Sequence, residues 1–236
     1  ESKPIAWNQD SLGNKKTVAV EFQLHNNIVT FSFPEGYNEN EILVIDPTLT
    51  FSTFTGSTAD NWGFTAAPDA AFNVFAAGVV FGSGYPISAG AYDPIFNGGQ
   101  FDIGLTKYTA DGTALLYSTY IGGSKTETPH SLICSPNNEL YVMGVTSSSD
   151  FPMAGTPFQA VHNGGPTFTE NGLTFPSSDI FVLKMNATGT ALVNSTFIGG
   201  SGTDGINRGT LYFNYGDQLR GDIALDQAGN VYVAST

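Results

Sequence analysis

Charge is scarce in this chain, and positive charge scarcest of all. Only 12% of its residues are Asp, Glu, Lys or Arg. That leaves little to solvate long helices, and no stretch carries an apolar i, i+3, i+4, i+7 stripe. Lys and Arg number 8 against 21 Asp and Glu, a formal charge of −13. Such a field repels phosphate, so neither nucleic acid nor an anionic membrane surface is expected as a partner. The acidity is dispersed rather than clustered, which suits solubility. Cys134 is the only cysteine, so neither an internal disulfide nor a thiolate metal cluster can form. It ends the run Ser131-Leu132-Ile133-Cys134 and reads as a small buried hydrophobe rather than a nucleophile. No apolar run reaches about 18 residues, so no span of a membrane is expected. The chain starts at Glu1 without a Met or a leader, which reads as a processed chain or a piece of a longer one.

What is abundant is aromatic residues, at 13%, and glycine, at 28 residues. Aromatic and β-branched runs broken by Gly, Asn, Asp and Pro favour strands joined by tight turns. The runs repeat. Phe51-Ser52-Thr53-Phe54-Thr55-Gly56 returns as Tyr117-Ser118-Thr119-Tyr120-Ile121-Gly122 and as Asn194-Ser195-Thr196-Phe197-Ile198-Gly199. Other landmarks keep the same spacings. Tyr85-Pro86 and Asn97-Gly98-Gly99 recur as Phe151-Pro152 and Asn163-Gly164-Gly165, at the spacing that separates Thr53 from Thr119. Asp102-Ile103 recurs as Asp179-Ile180, at the longer spacing that separates Thr119 from Thr196. The difference between the two spacings places an insertion around Pro166–Ser178. Tyr141 returns as Tyr232 at a spacing longer still, which leaves a further insertion over Gly205–Arg220 with the aromatics Tyr212, Phe213 and Tyr215.

Each unit holds four strand-like runs, in the second unit Ser131–Ser135, Glu139–Val145, Asp179–Asn186 and Ala191–Gly199. Both faces of Glu139–Val145 are largely apolar, as in a sheet covered on both sides. A repeated four-stranded unit describes a β-propeller blade. The expected fold is therefore all-β, a partial propeller of about two and a half blades over residues 47–236. Its units run about 47–123, 124–200 and 201–236, the last incomplete. Long loops follow the second strand in both full units, Phe81–Gln100 and Thr146–Ser178, and loops of that length are often functional. Residues 1–46 fall outside the repeat. Thr17–Leu24 alternates Val18, Val20, Phe22 and Leu24, Asn26-Asn27 suits a hairpin turn, and Ile28–Phe33 and Ile42–Ile45 follow as strands. This reads as the last strands of a separate β domain.

The cycle through Asn163-Gly164-Gly165, Asp179-Ile180-Phe181-Val182-Leu183-Lys184 and Ser195-Thr196-Phe197-Ile198-Gly199-Gly200 is similar to the SBBP-type β-propeller repeat of secreted bacterial proteins. Asp150-Phe151-Pro152 stands where that repeat has Asp-Phe-Pro. The resemblance covers roughly residues 46–236, and Ile45-Asp46-Pro47 after a β-rich segment resembles the lead-in of such propellers in Bacteroidetes. It departs at Thr55-Gly56-Ser57, at Gly104 and at Thr126-Glu127-Thr128. The resemblance implies a secreted or cell-surface protein, exported by type IX secretion and associated with gliding motility or adhesion. It implies outer-membrane secretion or motility proteins as partners, and no catalytic motif.

Candidate chemistry is thin. The loop aromatics Tyr85, Tyr92, Phe96, Phe151, Phe158, Phe168 and Phe175 suit stacking on a surface glycan or anchoring a protein, or else filling space between blades. Asp60, Glu127 and Asp204 recur after each fourth strand and, if they converge on one rim, form the carboxylate set of a polysaccharide-active enzyme. Their alternative role is to accept amide hydrogen bonds in turns. Asp102 and Asp179 open third strands, as capping acceptors or as calcium ligands, although no short oxygen-rich loop accompanies them. His25, His130 and His162 are too dispersed for a metal site and read as turn or surface residues. No cofactor is expected. The favoured reading is a binding scaffold and not an enzyme.

Overall fold

The computed structural model describes residues 4–25, 28–46, 52–170, 172–207 and 219–236. The expected turn at Asn26-Asn27, the residues Pro47 and Phe51, and the aromatics Tyr212, Phe213 and Tyr215 lie outside them. The chain divides into two compact units, Glu1–Ser52 and Thr53–Thr236. All regular elements among the described residues are strands, and no helix is long and apolar enough to cross a membrane.

The first unit holds β1 (Ile5–Gln9), β2 (Lys15–Val18), β3 (Glu21–His25), β4 (Ile28–Ser32) and β5 (Ile42–Asp46). They pair as a sheet of order β2-β1-β5 and a separate hairpin β3-β4. The single strand expected over Thr17–Leu24 is thus two strands. Val18 pairs with Ala6 in one sheet, whereas Glu21 pairs with Ser32 in the other. The alternation consequently breaks. Val18 and Val20 are buried with Ala6, while Phe22 and Leu24 are 43% and 72% exposed.

The second unit carries two four-stranded antiparallel sheets. The first is β6 (Asn61–Pro68), β7 (Val74–Val80), β8 (Asp102–Tyr108) and β9 (Leu115–Ile121), in chain order. The second is β10 (Glu127–Cys134), β11 (Leu140–Thr146), β14 (Asp179–Met185) and β15 (Leu192–Ile198). The insertion between β11 and β14 contains a small hairpin, β12 (Phe168–Glu170) and β13 (Leu173–Phe175). A final hairpin, β16 (Asp222–Leu225) and β17 (Val231–Ala234), opens a third repeat. Residues 52–56, which the repeat predicts as a strand, form none, and Phe54 is 97% exposed.

The core lies between the sheets, as strands apolar on both faces require. Phe75, Ile103 and Leu105 of the first sheet join Leu140, Phe181 and Phe197 of the second in one cluster. Each of these side chains contributes about 1.5–3 kcal/mol by leaving water. Cys134 lies half-buried against the same cluster, and burial raises its thiol pKa, so it stays protonated.

The first strand of each sheet contains a bulge. Pairing shifts between Gly63 and Thr65 in β6 and between Pro129 and Ser131 in β10, leaving Phe64 and His130 unpaired. This explains why β10 reaches back to Glu127 rather than starting at Ser131: β10 is the edge strand of its sheet, and an edge strand with a bulge accommodates Pro129.

Three turns share one local code. Asp10, Asp69 and Asp226 each accept the amides two and four residues on, and each binds the side chain of an Asn at the fourth position. The residue before that Asn has positive φ, and it is Gly13, Phe72 and Gly229. Phe72, at φ 63° and 71% exposed, holds a conformation that costs a residue with a Cβ about 1–2 kcal/mol. Phe72→Gly is therefore expected to stabilise the fold by about 0.5 kcal/mol once the greater freedom of unfolded glycine is deducted. A urea titration of both proteins checks this.

The long loops protect sheet edges. In the first sheet, Ser88 N and Oγ donate to Ser118 O, and Tyr120 N donates to Asp93 O, both along β9. In the second, Ser195 N donates to Ala154 O and Phe197 N to Gln159 O along β15. Each loop thus satisfies backbone groups that a bare edge strand would leave open. The inserted hairpin also ties the repeats together. Gln100 donates to Gly172 O and accepts from Thr174 N, while Phe175 packs on Phe101 at 6.0 Å.

Candidate functional site

The two bulges point to the site. Trp62, Gly63 and Phe64 in β6 correspond to Thr128, Pro129 and His130 in β10, at the spacing of Thr53 and Thr119. At the spacing of Tyr141 and Tyr232, the β10 residues correspond in turn to Leu219, Arg220 and Gly221, just ahead of β16. A cavity of about 580 Å3 is lined by Trp62, Gly63 and Phe64 from the first repeat, His130 from the second, and Leu219 to Asp222 from the third. Matching positions of three repeats thus meet at one hollow along the first strands.

Its lining combines an aromatic face with polar groups of different kinds. Trp62 is 38% exposed and braced edge-on by Phe81 at 4.7 Å. Asp222 accepts a hydrogen bond from Ser131 Oγ at 2.7 Å and one from its own neighbour Ile223 N. Arg220 adds a cation. His130 is buried, and burial drives its pKa down to about 3, so the ring is neutral at physiological pH. Its Nε2 lies 3.4 Å from Thr128 Oγ1, and its Nδ1 has no partner among the described residues. The expectation of a turn or surface residue is wrong for His130, because the bulge turns this strand residue inward. Of the other histidines, His162 is half-buried, with Nε2 3.1 Å from Thr146 O. Nothing is described of the His25 side chain.

The loop aromatics separate by burial. Phe151 stacks against Phe181 at 4.5 Å, Phe175 is wholly buried, and Tyr85 packs on Tyr120 at 5.9 Å. Burial raises the Tyr85 phenol to about 12. These three are corrected from candidate binding residues to packing residues: they are the apolar undersides of loops laid over sheet edges. Tyr92, Phe96 and Phe168 are half-buried against the same clusters. Only Phe158, at 89% exposure, stands out into solvent among the seven.

The carboxylates differ just as much. Asp60 is exposed in the turn before β6. Asp204 is half-buried and accepts from Gly200 N at 2.9 Å, a turn role. Glu127 is wholly buried, with Oε1 accepting from Thr146 and Ser148 hydroxyls at 2.7 and 2.5 Å. It has no surface on which to meet a substrate, so the rim-carboxylate role is withdrawn for Glu127. Asp179 is a capping acceptor, taking the Asn163 and Gly164 amides at 2.7 Å each. No group of three or more His, Cys, Asp or Glu able to hold a metal occurs among the described residues.

Trp62, Phe64 and Asp222 carry no sequence signal of a site because they lie on strands rather than in long loops, whereas Leu219 and Arg220 close the insertion over Gly205–Arg220. The repeat spacings do carry the signal, since they align Gly63, Pro129 and Arg220 at one position and Trp62, Thr128 and Leu219 at the position before it. Residues 1–48 match the model of a family described as a domain of unknown function, DUF7948. No curated protein matches the chain.

Proposed function

We propose that this protein is a secreted, cell-surface β-propeller that works as a binding scaffold, with its ligand held in the hollow where the first strands of successive repeats meet. The observation that carries this is the convergence of Trp62, His130, Arg220 and Asp222, from three repeats, on one cavity. In a propeller the first strands of the blades surround the central axis. A partly exposed indole beside donors and acceptors of both charges suits a saccharide, whose C–H face stacks while its hydroxyls find partners. Surface glycan is therefore the preferred ligand class. The resemblance to SBBP-type repeats supports export by type IX secretion and the outer face of the outer membrane, with motility or adhesion as the setting.

A glycan array probed with the labelled chain tests this. A bound glycan should be lost by at least about tenfold on Trp62→Ala, the effect of removing one stacking platform. The melting temperature of the variant serves as a folding control. Binding that survives Trp62→Ala but disappears on Phe158→Ala would move the site to the outer loop and sink the axial reading.

A further inference from the structure

The joint between the two four-stranded sheets contains two carboxyl groups that are each half satisfied. Asp102, at the start of β8, accepts the Asn97 amide on Oδ2 at 2.6 Å, while its Oδ1 is buried without a partner. Glu127, at the start of β10, uses Oε1 for two hydroxyls, while its Oε2 is buried without a partner. Both side chains are wholly buried. The two bare oxygens border one spot: a Cβ on Gly122 would stand 2.6 Å from Asp102 Oδ1 and 3.0 Å from Glu127 Oε2. Two acceptors and no donor form a frustrated arrangement, and a single hydrogen resolves it.

The next joint provides an internal comparison. There Asp179 occupies the place of Asp102, and Gln159 the place of Asp93. Gln159 Nε2 donates to Asp179 Oδ2 at 3.3 Å, and the Gly164 amide fills Oδ1. Asp204 occupies the place of Glu127, one methylene shorter and half-exposed. The three atoms nearest the spot over Gly199 all belong to Asp179, whereas Glu127 Oε2 is among the three nearest the spot over Gly122. At the first joint the donor Gln is replaced by the acceptor Asp93, whose oxygens take the Ile95 amide and Asn97 Nδ2, and the longer Glu127 reaches in. A donor has been removed and an acid added at the same place.

We propose that Asp102 and Glu127 share one proton across this joint, an acid–carboxylate bridge that fastens the first sheet to the second and weakens as the proton is lost. Burial is the main cause that raises Asp102, to about 8, against the Asn97 amide and with the charges of Glu127 and Asp93 adding. Burial likewise raises Glu127, to about 7, against the Ser148 and Thr146 hydroxyls and the Gly123 amide, with Asp150 adding. The charged groups around the pair are Asp93 on the loop before β8, Asp150 on the loop after β11 and Lys125 beside it. His162 touches Thr146 O behind Glu127. The proton affinity of the folded pair exceeds that of the unfolded carboxyls. The stabilisation from the pair's raised proton affinity is thus fully present below the ordinary carboxylate range, and it is lost as pH rises through about 7 to 8 and the shared proton leaves. This device is independent of the binding reading above.

Two measurements on the full chain test it. Carbon-13 carboxyl titration should show one Asp and one Glu side chain titrating together above about pH 6, where free carboxyls are already ionised. Urea unfolding should show the unfolding constant rising at least about tenfold from pH 5.5 to pH 9. Asp102→Asn and Glu127→Gln each replace the shared hydrogen with a permanent N–H donor. Each should flatten the profile and leave the variant more stable than the parent at the upper pH. An unshifted carboxyl titration overturns the proposal even if both variants fail to fold. So does a flat parental profile, or a variant as steep as the parent. A parental midpoint at the upper pH that rises with calcium and falls with chelator also overturns it, because a cation would then occupy the spot.

Discussion

Gly144→Ala should destabilise the second unit by about 3 kcal/mol or more, one of the largest single-methyl effects available in this chain. The added Cβ would collide with Thr128 O and stand 2.9 Å from the Phe181 ring. Thr128 O is backbone, held by the bulge in β10, and Phe181 is wholly buried, so neither can yield. Gly78 repeats the situation in the first sheet, where its would-be Cβ collides with Trp62 O. Gly63, on the bulged strand itself, has nothing within 4 Å, and Gly63→Ala should cost less than about 1 kcal/mol. Equilibrium unfolding of the three variants measures the contrast. A mild Gly144→Ala would mean that the carbonyl does not sit over the glycine and that the bulge is misplaced. The result bears on function, because the same bulges deliver Phe64 and His130 to the cavity.

The all-β class and the two four-stranded sheets were legible because a period-2 pattern repeated at fixed spacings is hard to produce otherwise. What was illegible has particular causes. β1, Ile-Ala-Trp-Asn-Gln, gave no strand signal, since its polar residues Asn8 and Gln9 lie among the paired positions. Asn8 is buried yet satisfied, exchanging two hydrogen bonds with the backbone of Asn38, a partner far along the chain. The β12–β13 hairpin depends on Gln100, which lies in the preceding repeat. The loop aromatics were legible as a group but not in orientation. Phe151 and Phe158 lie in the same loop, one buried and one exposed, and composition does not distinguish an underside from a crest. Glu127 and Asp204 align by repeat but differ by one methylene, which decides whether the carboxyl reaches the neighbouring sheet.

Lys107→Met should cost about 3 kcal/mol, whereas Lys184→Met, at the matching place in the second sheet, should cost less than about 1 kcal/mol. Both lysines are on third strands, and both lie over an aromatic ring of the second strand, Phe75 at 4.5 Å and Tyr141 at 5.4 Å. Both form an ion pair with a turn carboxylate, Lys107 with Asp69 at 2.8 Å and Lys184 with Glu139 at 2.7 Å. They differ in burial. The Lys107 and Asp69 side chains are 7% and 2% exposed, against 23% and 24% for the second pair. Removing Lys107 strands a carboxylate in the interior, while removing Lys184 leaves Glu139 in reach of water. The pH dependence gives a second check. Burial works to raise the Asp69 pKa, but hydrogen bonds from Lys107 and Asn73 and the Ala71 amide overcome it and bring it down to about 2. A depressed folded-state value means that the stabilisation is present above the unfolded value of 3.8 and is lost as pH falls through about 2. The gap between parent and Lys107→Met should accordingly be widest near neutral pH and should close on acidification. If the gap held constant down to the acid limit, the lysine would be acting through its packing on Phe75 and not through its charge.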